Sequence, residues 1–261
     1  MMRALHTSAT GMAAQESNVN TISNNIANVN TTGFKKSRTE FDDLLYETIQ
    51  EAGAKSSGTT EYNVGHQVGS GAKVSATRKV HSQGAPQITN NPYDIMINGE
   101  GFVGIIGTNG ELKYTRDGSF NVDSQGNLVT RAGHKVFPGI VVPSNVMKIN
   151  IAENGLVEAF TANSVEPMNL GQIPVFTFVN PTGLRADGGN LLAATAGSGQ
   201  AIQNTAGQNG SGNLMQGAIE ASNVNVMNEM TDLIKAQRAY EMNSKVMGVA
   251  DQMLQTVNNI R

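Results

Sequence analysis

The stretch MMRALHTSATGMAAQESNVNTISNNIANV, residues 1–29, decides the fold. Met1, Leu5, Met12, Val19, Ile22, Ile26 and Val29 fall on alternating steps of three and four, and only Ser8 and Gln15 put polar groups into the stripe. A chain with that period is helical and carries one apolar seam along its length. The positions beside the seam are small or uncharged: His6, Ala13, Asn20 and Ala27 on one side, Thr7, Ala14, Thr21 and Asn28 on the other. Arg3 and Glu16 are the only formal charges, so a solitary helix gains little from solvation and frays. The seam asks for helical partners on more than one side. At 1.5 Å per residue the helix spans roughly 43 Å, well beyond the usual globular helix. It ends at Asn28-Val29-Asn30-Thr31-Thr32-Gly33, where Asn and Thr compete for backbone hydrogen bonds and Gly33 takes the left-handed cap.

A second long helix closes the chain. Asn225 caps it and Glu229 lies near its positive end. Val226, Met230, Leu233, Ile234 and Tyr240 form its stripe, which resumes one position out of register at Val246, Ala250, Met253, Val257 and Ile260. The expected length is roughly 50 Å. Between the helices the period changes from 3.6 to 2. From about Val74 to Val179 strand-length apolar sets such as Phe102 to Ile106 and Phe120 with Val122 alternate with turn signals at Asn98-Gly99, Asn109-Gly110, Asp117-Gly118, Gln125-Gly126 and Asn154-Gly155. That spacing predicts an antiparallel sandwich or open barrel. Residues 184–212 read as irregular surface, with Leu191 and Leu192 isolated.

Residues 34–73 connect the first helix to the β-domain. Phe41, Leu44, Leu45 and Ile49 predict a short helix from about Thr39, followed by a Gly-, Ser- and Thr-rich segment. Within it Glu61-Tyr62-Asn63-Val64 alternates as a strand does and Ser56-Ser57-Gly58 turns a hairpin, with a flexible linker as the competing reading. The expected architecture is α+β: long N- and C-terminal helices pairing as a coiled-coil-like stalk, a central antiparallel all-β domain and an extended hairpin segment. Its parts are residues 1–33, 34–73, 74–215 and 216–261. The expected subunit-interface residues are Leu5, Met12, Val19, Ile22, Ile26 and Val29 on the first helix, Tyr62 and Val64 on the hairpin, and Val226, Met230, Leu233, Tyr240, Val246, Met253 and Val257 on the last helix.

Composition argues against several classes of function. A net charge of −3 offers no basic field for nucleic acid. No cysteine is present, which removes disulfides and thiolate metal sites, and His6, His66, His81 and His134 lack metal-ligand spacing. Residues 1–29 have no apolar signal core and no run of eighteen apolar residues occurs, so a soluble chain without a cleaved signal is expected. Gly99-Glu100-Gly101-Phe102-Val103-Gly104 has the letters of a dinucleotide fingerprint, but strand rather than helix is expected after it. Asp117 and Asp123 flank a strand as a carboxylate pair, yet each sits in a turn signal that favours Asp for backbone reasons. No catalytic set, cofactor or small-molecule substrate is expected.

Ser23-Asn24-Asn25-Ile26-Ala27-Asn28-Val29-Asn30-Thr31-Thr32-Gly33-Phe34-Lys35 resembles the N-terminal signature of the bacterial flagellar rod and hook axial proteins. Ser222-Asn223-Val224-Asn225-Val226, Ala236-Gln237-Arg238-Ala239-Tyr240-Glu241 and Asn243-Ser244-Lys245 resemble their C-terminal signature, and Tyr114-Thr115-Arg116-Asp117-Gly118-Ser119-Phe120 with Gly126-Asn127-Leu128-Val129 their β-domain motif. The resemblance spans essentially the whole chain; Val103-Gly104 departs from it, where another aromatic is expected after Phe102. Length and the Tyr46 to Gly71 insertion look like the distal-rod members, with a proximal-rod or hook subunit as the alternative and a secreted enzyme or adhesin using the same export helices as a third reading. The resemblance implies a structural, non-enzymatic subunit of the flagellar basal body, spanning the periplasm to the outer membrane. It implies a rigid helical homopolymer that encloses the export channel and carries torque. The implied partners are proximal rod proteins, the hook protein or hook adaptor, the P- and L-ring bushing, a rod cap and the flagellar type III export apparatus.

Overall fold

The computed structural model describes residues 2–53, 55, 62–161 and 166–259, with the side chain of Asn258 excepted. The chain divides into two compact units. Unit one comprises Met1–Ala27, Ser37–Arg78 and Asn225–Arg261, and unit two Asn28–Lys36 and Lys79–Val224.

Unit one holds α1 (Met2–Ala27), β1 (Ser37–Asp43), β2 (Tyr46–Gln50), β3 (His66–Gly69), β4 (Ala72–Lys79, its last residue in unit two) and α2 (Val226–Asn259). α2 starts as its sequence demands: Asn225 Oδ1 accepts from the Met227 and Asn228 amides at 3.1 and 3.3 Å. Residues 216–225 are not part of that helix, contrary to the expected boundary at 216. Ala218–Glu220 is a strand, its backbone bonds spent on a ladder. The short helix expected from Thr39 is also absent, because β1 pairs with β4 and the Leu44 amide donates to the Gly71 carbonyl. Ladder bonds and the Thr39 hydroxyl, which donates to Thr21 Oγ1 at 2.9 Å, outweigh a weak apolar spacing. β2 and β3 form an antiparallel ladder from Tyr46 opposite Gly69 to Gln50 opposite His66. The ladder runs through His66–Gly69; of the expected Glu61–Val64 segment, Tyr62 adds a bond, its carbonyl accepting from the Gly53 amide at 2.8 Å, while Glu61 lies outside the described residues. Residues 56–61, with the turn expected at Ser56-Ser57-Gly58, lie outside the described residues, as do Met1 and Ile260 of the helical stripes.

Unit two is antiparallel throughout. Its strands are β5 (Pro86–Ile88), β6 (Ile95–Asn98), β7 (Phe102–Ile106), β8 (Leu112–Thr115), β9 (Phe120–Val122), β10 (Leu128–Thr130), β11 (Lys135–Val136), β12 (Val146–Ile151), β13 (Leu156–Thr161), β14 (Met168–Gln172), β15 (Val175–Thr177), β16 (Arg185–Gly188), β17 (Leu191–Ala193), β18 (Ile202–Asn204), β19 (Asn213–Gln216) and β20 (Ala218–Glu220). The main sheet runs β16-β17-β8-β7-β11-β10-β9, with β15 joining β7 to β18. Period-2 alternation on β7 divides the core: Val103 and Ile105 enter one apolar cluster with Phe120, Ile173 and Leu214, while Phe102 enters a second with Tyr114, Phe176, Leu184 and Leu192. Gly104 points toward the second cluster, and a Cβ there would lie 2.5 Å from the Phe176 ring. The aromatic expected after Phe102 is replaced by a ring that arrives from β15.

Residues 184–212 are ordered rather than irregular. β16, β17 and β18 pair with their neighbours, and Leu184, Leu192 and Ala206 are buried. Single apolar residues between glycines leave too short a period to read from sequence, yet each fills a place in a cluster set by β7 and β15.

Candidate functional site

α1 and α2 run antiparallel and touch through small and polar groups. A Cβ at Gly11 would stand 2.9 Å from the Asn243 carboxamide nitrogen, and Asn25 hydrogen-bonds Glu229 at 3.1 Å. The two contacts are fourteen residues apart on each helix, which is two heptads. Between and beyond them Ser8, Ala14 and Ile22 on α1 and Ala236 and Ala250 on α2 are buried.

The large side chains of the α2 stripe point elsewhere. Val226, Met230, Tyr240, Val246, Met253 and Val257 are 41–55% exposed, and Met227, Ile234, Met242 and Val249 are exposed beside them. Only Leu233 of the seven expected α2 residues is partly covered. Within the single chain, then, α1 does not cover the α2 stripe. Close approach at Gly11 selects alanines and short polar groups for the pair, and the bulky stripe is turned outward. On α1, Ile22 is buried and Leu5, Met12, Val19 and Ile26 are partly buried, while Val29, beyond the helix, is partly buried in unit two. Tyr62 and Val64 are 44% and 77% exposed, and Leu45 and Ile49 on the same segment 90% and 58%. A row of large apolar side chains left this exposed along one helix marks a surface that other protein covers.

In unit two an ion cluster that sequence reading missed is built on Glu220, at the end of β20. Its carboxylate accepts from Lys35 Nζ at 2.5 Å, from the Gly84 amide at 2.7 Å and from Arg116 Nη1 at 3.2 Å. Its backbone carbonyl accepts from the Gly33 amide at 2.8 Å. Lys35 donates further to the Ser82 carbonyl and Arg116 to that of Gly99. All three charged side chains are at most 5% exposed. Burial pulls the Lys35 ammonium below its ordinary range against the opposing pull of Glu220, and lowers Arg116 likewise. Glu220 thereby ties the signature segment Gly33–Lys35 to the Arg116 motif. One signal was available: it is the only charged residue between Asp187 and Glu229.

Beside this cluster a cavity of about 60 Å³ is lined by His81, Phe102, Arg116, Thr177, Phe178 and Pro181, among others. Arg116 Nε is buried there without a hydrogen-bond partner, and the ring nitrogens of His81 are buried with no well-formed bond, the Pro181 backbone being the one group that approaches them. Burial first, then Lys35, Arg116 and Lys79, depress the imidazole pKa to about 4, with only the Pro181 backbone pulling the other way. The space admits a water or two but no substrate. The Gly99–Gly104 stretch leads into β7, not a helix, so it has no phosphate-binding N-terminus. Asp117 and Asp123 serve their turns, accepting from Ser119 and Ser124 amides. Among the described residues no three His, Cys, Asp or Glu side chains come together as metal ligands, and no helix is long and apolar enough to cross a membrane.

Three family models match the chain: flagella basal body rod protein over residues 5–35, flagellar hook protein FlgE/F/G D1 domain over 96–159, and flagellar basal body rod FlgEFG protein C-terminal over 215–260. The flagellar basal-body rod protein FlgG of Borreliella burgdorferi is 49% identical, covering 100% of this chain and 99% of its own length. FlgG of Caulobacter vibrioides is 48% identical over 100% of both chains, and FlgG of Bacillus subtilis 36% over 100% of both. A solved flagellar hook protein, FlgE2 of Helicobacter pylori, overlays at a TM-score of 0.25 with 15% identity, covering 71% of this chain and 43% of that one, too loosely to bear on the fold. With identity of this level running from end to end, the chain belongs to the FlgG family of flagellar basal-body rod proteins, structural subunits of the rod.

Proposed function

We propose that the chain is the distal-rod subunit, whose copies assemble through their terminal helices into a rigid helical tube. The tube encloses the export channel and transmits motor torque through the periplasm to the hook. The observation that carries this reading is the outward apolar stripe of α2, from Val226 to Val257, which the chain's own α1 leaves uncovered. Burying such side chains against neighbouring copies contributes roughly 1.5–3 kcal/mol each, and repetition along a helix multiplies it. The two-heptad spacing of the α1–α2 contacts supports a coiled-coil-like stalk. The interface comprises Leu5, Met12, Val19, Ile22, Ile26 and Val29 with Val226, Met230, Leu233, Tyr240, Val246, Met253 and Val257; Tyr62 and Val64 brace neighbours from the extended β2–β3 hairpin.

The resemblance of both terminal signatures to the axial family extends the reading to partners. They are proximal rod proteins below, the hook protein or its adaptor above, the P- and L-rings around the shaft, a rod cap at the growing end, and the type III export apparatus that delivers the subunit. The location is the distal rod, from periplasm to outer membrane. No catalytic step belongs to this function.

The test is Val246→Asp combined with Met253→Asp. Both side chains are half exposed in the single chain, so the variant folds, but assembly would bury two carboxylates at several kcal/mol each. The expected result is normal folding by circular dichroism and no rods in purified basal bodies. Rods of normal length would overturn the assignment of the α2 face.

A further inference from the structure

Asn25 is 2% exposed, at the end of α1 where the seam meets β1. Its Nδ2 donates to the Ser37 carbonyl at 2.8 Å and to Glu229 Oε2 at 3.1 Å, and its Oδ1 accepts from the Ser37 amide at 2.9 Å. One carboxamide thus pairs with both backbone groups of a residue on β1 and with a carboxylate on α2 that is 6% exposed. One turn earlier the Thr39 and Thr21 hydroxyls repeat the tie between β1 and α1.

The remainder of the α1–α2 contact is poor at choosing an alignment. Ala236, Asn243 and Ala250 recur at steps of seven, so sliding α2 by one heptad sets an alanine against Gly11, small against small. Shape therefore penalises a slip only weakly. Hydrogen bonding penalises it heavily: the slide that brings Ala250 to Gly11 sets Ala236 against Asn25, the opposite slide carries the start of α2 past it, and either draws Glu229 away from the buried amide it satisfies. A single buried polar residue in an otherwise permissive seam is the known means of specifying helix register.

We propose that Asn25 is the register-determining residue of the terminal helix pair. It selects the one antiparallel alignment in which Gly11 faces Asn243, and so decides which α2 side chains face outward. That consequence rests on the assembly reading above; the alignment itself does not.

The chain has no cysteine, so disulfide trapping in the purified full-length protein reads the alignment directly. Gly11→Cys with Asn243→Cys reports the native register, and Gly11→Cys with Ala236→Cys or Ala250→Cys reports a one-heptad slip in either direction. In the parent the 11/243 pair is expected to oxidise within the chain and the other two to lag. Adding Asn25→Leu is expected to raise one of the slipped pairs about tenfold relative to 11/243, and Glu229→Leu to do the same from the other helix. Slipped pairs that stay at parent level in both variants, with helix content retained or lost, would overturn the proposal and leave Asn25 a stabilising contact only. Equal oxidation of all three pairs in the parent would overturn it too. The readout needs no polymer, so failure of rod assembly is seen separately, in basal bodies.

Discussion

Replacing Glu220 by leucine leaves Lys35 and Arg116 at most 5% exposed without their buried carboxylate, with only the exposed Glu100 still acting on Arg116, and removes the acceptor of the Gly84 amide. Breaking a buried ion pair from one side costs about 3–5 kcal/mol, and an orphaned amide adds about 1–3 kcal/mol. Lys35 has a partial escape, since burial already lowers its pKa and it can shed its proton; Arg116 has none. The expected loss for unit two is therefore about 4 kcal/mol, and at roughly 2–4 °C per kcal/mol the melting midpoint falls by about 8–16 °C. Urea denaturation followed by the far-ultraviolet strand signal measures it, with an unchanged m-value confirming a two-state comparison. The triple variant Lys35→Met, Arg116→Met, Glu220→Leu is expected to regain most of the loss, because an apolar trio of similar volume has no desolvated charge left to satisfy. A single variant within about 1 kcal/mol of the parent, or a triple variant no more stable than the single one, would refute the view that Glu220 is the neutralising centre of this cluster.

The His81 imidazole, at about 4 in the folded chain against its ordinary 6.5, binds its proton less readily folded than unfolded. Unit two should hold its stability above pH 6.5 and lose up to about 3 kcal/mol as pH falls from 6.5 toward 4, a slope that His81→Phe should flatten in urea titrations at several pH values. Gly33 has φ +68°, and a Cβ there would come within 2.5 Å of the Asp117 backbone nitrogen, so Gly33→Ala should cost about 2 kcal/mol or more in the same assay. Deleting residues 50–68 removes most of the β2–β3 ladder together with exposed Tyr62 and Val64. Export is expected to continue and the rod, viewed by electron microscopy, to curve; a straight rod would show the segment to be a spacer.

Periodicity alone determined the elements that depend on their own residues: α1 from its three-four seam, α2 from its Asn225 cap, and the strands of unit two from alternation punctuated by Asn-Gly and Asp-Gly turns. The family, too, was legible, because its signatures sit at helix ends and turns whose chemistry is local. Three matters were decided only by tertiary contact. Residues 37–50 became strands because β4 and β3 supplied ladder partners that no local window contains. The α2 stripe faced outward because α2 meets α1 at Gly11 through Asn243 and buries Ala236 and Ala250 rather than its bulky side chains, which an apolar count on one helix does not reveal. Glu220 and Asn25 took their roles from partners 185 and 204 residues away, and a buried charge or amide acquires its meaning only from what stands within hydrogen-bonding reach.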